Sequence, residues 1–169
     1  MDTTKPMQID RTDLKILEAL QRNGKISNAD LAKRVNLSPS PCLARVKRLE
    51  QSGIIKQYVA LLDPKIAGLE LNVFVFITLK TQSREQLRDF EKRVSEHAAV
   101  MECYLMTGAE DYMIRVVMPD VGSLERFIVD DLSPMPEVEH IRSSIALKQV
   151  RYKTELPLRG LSVRKPIEN

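Results

Sequence analysis

Apolar positions along the first third of the chain recur at helical spacing in three short blocks. Leu14, Ile16, Leu17 and Leu20 form the first, opened by the acidic residues Asp10 and Asp13, which the helix dipole favours near an N-terminus. Ala29, Leu31, Ala32 and Val35 form the second, with Ser27 or Asn28 as N-cap and Asn36 as a residue that tolerates the left-handed backbone after a helix. Cys42, Leu43, Val46 and Leu49 form the third, which Ser38 opens as a hydroxyl cap followed by Pro39. Two short amphipathic helices joined by a tight turn, behind a first helix that shares their core, have the layout of a DNA-reading helix-turn-helix.

The wet side of the third helix is small at its start and basic further along. Ser38, Ser40, Pro41 and Ala44 allow close approach to a major groove, and Arg45, Lys47 and Arg48 are candidates for phosphate or guanine contacts. Any surface helix carries Lys and Arg on its solvated side; here the turn chemistry and the pairing of helices weigh toward DNA.

The period then changes. Ile54–Leu62 is rich in β-formers and predicts a short strand pair or wing, ending at Asp63-Pro64, and 63–69 is the expected hinge. Beyond it, strand patterns at 71–80, 100–107, 112–118 and 138–150 alternate with helical spacing at 84–96 and 124–132. This βαββαβ order is the ferredoxin-like layout, so the fold class is α+β. The expected domains are a winged helix-turn-helix over 1–62, an effector-binding and oligomerisation domain over 70–158, and a flexible tail over 159–169. Val73–Ile77 shows almost no polar face, which predicts cover on both sides of the sheet and at least a homodimer.

Composition sharpens this division. The chain has 169 residues, 43% hydrophobic, with a formal net charge of +3. Residues 1–64 hold 11 Lys/Arg against 7 Asp/Glu, and residues 65–169 hold 15 against 16, so the basic excess sits where a polyanion would be met. No window approaches the roughly 20 apolar residues of a membrane span, and Met1–Gln8 lacks the apolar core of a signal peptide, so a cytoplasmic protein is expected. Cys42 and Cys103 stand far apart at apolar-patterned positions, without metal-ligand spacing, and are expected to pack as small hydrophobes; no metal or cofactor is expected.

Four segments together carry a resemblance: Ile9–Asp13, Leu37–Glu50, Leu61–Pro64 and Thr107–Tyr112. Through them the chain resembles the Lrp/AsnC family of feast/famine regulators over about residues 9–158. The resemblance implies a transcription regulator assembling as dimers and commonly as octamers, whose DNA affinity or assembly responds to an amino acid bound between effector domains. It also implies effector contacts at Met106, Gly108, Glu110, Asp111 and Tyr112, and at Ser143, Ser144 and Ile145 of a neighbouring subunit. A glycine turn can offer main-chain N–H groups to a carboxylate and Asp111 can balance an ammonium group, although glycine and aspartate also make ordinary hairpin turns. Met106 and Ile145 suit an apolar amino acid, and segments 101–108 and 149–154 look like members that respond to leucine, other branched-chain amino acids or proline.

Two rival readings use the same residues. The family is similar to two-domain decarboxylases of modified tetrapyrroles, which would need an acid or base near a bulky cavity; His97 and His140 are the available histidines, in polar settings that favour a non-enzyme. An architectural protein with mainly non-specific DNA contacts is the third reading.

Overall fold

The computed structural model describes residues 9–158; the expected tail 159–169 lies outside them. Two compact units emerge among the described residues: one holds 9–61 together with 151–158, the other Leu62–Val150.

In the first unit, α1 (Arg11–Arg22), α2 (Asn28–Val35) and α3 (Pro39–Gln51) enclose a core of Ile16, Leu17, Ala19, Leu31, Ala32, Val35, Cys42 and Leu49. A capping box starts α1: Asp10 accepts the N–H groups of Thr12 and Asp13, both at 2.8 Å, and Asp13 accepts that of Asp10 at 3.2 Å. Ser27 caps α2, and Asn36 ends it in the left-handed region at φ 58°. Ser38 is extended as an N-cap should be, yet makes no side-chain cap bond. The reason lies in the sequence, because the N3 position is Pro41, which has no N–H to give. The α2–α3 turn is closed instead by Asn28 Nδ2, donating to the Pro39 carbonyl at 2.9 Å.

The strand pair expected over Ile54–Leu62 does not form. Ile54 and Ile55 pack against the helical core, Tyr58 donates to Glu50 at 3.0 Å, and the rest runs extended without ladder partners. β-propensity records fit to a half-buried pleated surface, and no neighbouring strand supplies one. Residues 151–158, expected in the effector domain, belong to the first unit. Gln21 accepts the Leu156 N–H at 2.7 Å and donates to its carbonyl at 3.4 Å, Arg22 pairs with Glu155 at 3.7 Å, and Leu158 joins the helical core.

The second unit is a four-stranded antiparallel sheet, β1 (Leu71–Leu79), β2 (Val100–Leu105), β3 (Tyr112–Met118) and β4 (Val138–Ile145), in the order β2-β3-β1-β4. α4 (Arg84–Glu96) and α5 (Val121–Arg126, continued by a π-helical turn over Phe127–Leu132) cover one face. Val73, Val75, Ile77 and Leu79 of β1 and Tyr112, Ile114, Val116 and Met118 of β3 point to the helices, packing on Phe90, Val94, Leu124, Phe127 and Leu132. Phe74, Phe76, Met113 and Val117 alternate onto the other face, where they are only partly buried within one chain. β4 stops at Ile145, five residues short of the expected Val150. Its partner β1 begins at Leu71, so after the Ala146 N–H bonds the Asn72 carbonyl at 2.8 Å only Leu71 remains on that strand.

Candidate DNA interface and effector site

α3 presents two different surfaces. Ser38, Ser40, Pro41, Ala44 and Lys47 are exposed at its start and along one side. Arg45 and Arg48 turn back to α1. Arg45 Nη1 donates to Asp10 Oδ2 at 2.6 Å and to Asp13 Oδ1 at 2.8 Å, and Arg48 Nη2 donates to Asp13 Oδ2 at 2.5 Å. Asp13 is completely buried (0% exposed), whereas the side chains of Arg45 and Arg48 remain 31% and 49% exposed. Asp10 is held below the usual carboxylate range, chiefly by the Asp13 main-chain N–H, with Arg45 adding to it. The hydrogen bonds to Asp10 and then Asp13 push Arg45 upward in turn. Of the seven α3-region candidates, the two arginines are therefore engaged within the protein. The missed partner is Asp13, whose signal was its place three residues after the acidic cap Asp10, facing a basic helix.

The expected effector residues fall at two places. At the β2–β3 connection, Met106 and Gly108 are exposed, and Gly108 has φ 138°, a backbone that a side chain rarely adopts. Glu110 accepts from Arg142 at 2.6 Å, and the Arg142 guanidinium lies 4.2 Å above the Phe76 ring. Asp111 is nearly buried; its Oδ2 accepts the Leu79 N–H at 2.7 Å and its Oδ1 accepts Gln82 Nε2 at 2.6 Å. Tyr112 is 1% exposed and points away from the turn into the helix-covered core, stacking 4.7 Å from Phe90 and donating to Glu91 Oε1 at 2.7 Å. Burial, followed by the Glu91 carboxylate, drives its phenol well above the ordinary value. A strand period of two explains why Tyr112 cannot face the same surface as its neighbour Met113.

Ser143, Ser144 and Ile145 lie exposed on β4. Ser144 pairs with Phe74 on the open face, while Ser143 and Ile145 pair with Val75 and Val73 on the helix side. β1 stands between β4 and β3, a separation of about 10 Å at ordinary strand spacing. Within one chain the two groups are linked through the Glu110–Arg142 pair, which spans from the turn to β4.

His97 departs from the expected exposed setting and His140 does not. His97 stacks on Phe127 with centroids 4.6 Å apart and lies 3.2 Å from Asp131, whereas His140 is exposed. Both cysteines are free; Cys42 is buried and Cys103 half-buried against the sheet core, and burial raises each thiol.

A family model described as the Lrp/AsnC ligand binding domain matches residues 72–156, and one described as a winged helix-turn-helix DNA-binding domain matches residues 9–56. The chain belongs to the Lrp/AsnC family. It is a transcriptional regulator of that family, with an N-terminal winged helix-turn-helix and a C-terminal α+β ligand-binding domain. It is 42% identical over 151 residues to the Bkd operon transcriptional regulator of Pseudomonas aeruginosa, covering 89% of this chain and 99% of that one. It is 37% identical over 151 residues to the leucine-responsive regulatory protein of Escherichia coli, covering 89% and 92%. Among solved structures, a transcriptional regulator of Neisseria meningitidis in complex with L-Met matches with a TM-score of 0.86 and 38% identity, over 89% of this chain and 97% of that chain. Among the described residues of this Lrp/AsnC protein, no helix is long and apolar enough to cross a membrane.

Proposed function

We propose that this regulator reads double-stranded DNA through the exposed start of α3 and that an apolar amino acid, of the leucine, branched-chain or proline type, changes its assembly or DNA affinity. The observation that carries the DNA half is the small, exposed stretch Ser38-Pro39-Ser40-Pro41 with Ala44 and Lys47, set on a three-helix unit whose turn is locked by Asn28. Two such helices in a dimer would enter successive major grooves about 34–36 Å apart.

The effector half rests on Met106, left 42% exposed beside the Gly108 turn with its accessible main chain, and on Ile145, left 44% exposed on β4. The leucine-responsive name of the E. coli relative and the L-Met complex of the N. meningitidis protein support the same ligand class. Because the turn and the β4 residues lie apart within a chain, the complete site takes Ser143, Ser144 and Ile145 from a second copy. The partly apolar open face, with Phe74, Phe76, Met113 and Val117, supports dimers that assemble further, up to an octamer. The protein acts in the cytoplasm as a regulator and not as an enzyme.

The test is calorimetry against the twenty amino acids combined with sedimentation. Binding confined to apolar amino acids, with a ligand-dependent change in assembly or DNA affinity, is expected. Uniform absence of binding would remove the effector half.

A further inference from the structure

Arg45 and Arg48 sit three residues apart on α3 and reach one buried carboxylate. Each Asp13 oxygen takes one guanidinium, at 2.8 and 2.5 Å, and Asp10 takes a second bond from Arg45 at 2.6 Å. Two cations and two carboxylates thus cancel at the α1–α3 crossing. A carboxylate with no solvent exposure must be paired to stay charged, and both partners come from the helix that the proposed function assigns to DNA.

A free arginine beside a groove has two strong outlets. It donates bidentately to guanine, or it neutralises a phosphate and releases a counterion irrespective of sequence. Phosphate contact raises affinity for all DNA equally, so two loose arginines would add affinity and salt dependence on every duplex and no selectivity. We infer that Asp13 is a positioning residue for DNA reading: it holds Arg45 and Arg48 against α1, and so leaves sequence selection to the Ser40-Pro41-Ala44 end of α3, with Lys47 as the cation on that surface. This rests on the DNA-reading function proposed above and deepens it.

Salt-titrated binding of the full chain tests the role. The probes are a duplex selected by the wild-type chain from a randomised pool and an unrelated duplex of equal length. In Arg48→Met, which keeps the apolar stem and leaves Asp13 paired with Arg45, the slope of log K against log salt and the preference between duplexes stay as in wild type. In Asp13→Asn, of equal size and without the charge, the slope steepens by about 1–2 as freed arginines reach phosphates, each worth ~0.9. Both duplexes are then bound more tightly, and the preference between them stays as in wild type.

A slope flattened by about 0.9 in Arg48→Met, with weaker binding, would overturn the inference, because Arg48 would then already touch DNA. A folded Asp13→Asn chain with unchanged slope would do the same. If Asp13→Asn does not fold, Arg48→Met decides alone. Equal wild-type affinity for both duplexes would overturn sequence reading itself, which is a separate failure from an unchanged slope in a variant.

Discussion

Asp111 accepts the Leu79 main-chain N–H at 2.7 Å, joining the residue just before β3 to the last residue of β1. The same carboxylate takes Gln82 at 2.6 Å, while its own N–H bonds the Ile77 carbonyl at 2.9 Å. Asp111 thus closes the end of the sheet beside the Gly108 turn. Removing it strands a buried donor, so Asp111→Ala is expected to cost about 1–3 kcal/mol in urea unfolding followed through the second unit. An unchanged midpoint together with lost amino-acid binding would reassign the carboxylate to an ammonium group.

Tyr112 was a candidate effector contact, but its ring belongs to the core with Phe90. Tyr112→Phe is expected to lose the Glu91 bond and about 1 kcal/mol, leaving amino-acid affinity as in wild type. Calorimetry of the variant checks this, and a large drop in affinity would return the hydroxyl to the effector site.

The capping carboxylate Asp10 gives a pH dependence with a fixed sign. Its folded value lies below the unfolded one, so its contribution is fully present above the ordinary aspartate value of about 3.9 and is lost as pH falls through the lowered folded value. Asp10→Asn is therefore expected to narrow its stability gap to wild type as acid unfolding proceeds from pH 5 toward pH 2. A gap that widened on acidification would contradict the Asp13 and Arg45 bonding described for it.

The strap 151–158 predicts a role for the end of the described chain in the DNA-binding unit. A chain ending at Val150 loses the two Gln21–Leu156 bonds and the Leu158 contact. At roughly 0.5–1.5 kcal/mol per hydrogen bond, α1 amides should exchange hydrogen ten-fold faster or more. Unaltered protection of α1 would show that the strap adds nothing there.

The helices and strands that bury a periodic stripe were legible: α1 to α4, β1 and β3 follow their apolar positions within a residue or two, and Asn36 stands in the left-handed cap that its type suggested. What the sequence obscured was where polar side chains turn. A wheel places Arg48 on the wet side of α3, but a long side chain reaches past its own face, and only the position of α1 shows that Asp13 captures it. Similarly, residues adjacent in Asp111-Tyr112 read as one motif, although the strand sends Tyr112 into the core. The 54–62 segment had strand-forming residues without a strand to join, information that pairing and not propensity supplies.

The most direct test is a gel-shift titration of the full chain on its selected duplex, repeated with each of the twenty amino acids. The account predicts sequence-selective binding in the absence of ligand, and a shift of about 5–150-fold in affinity confined to apolar amino acids. Selective binding that no amino acid changes would contradict effector control, and no selectivity at all would contradict DNA reading by α3.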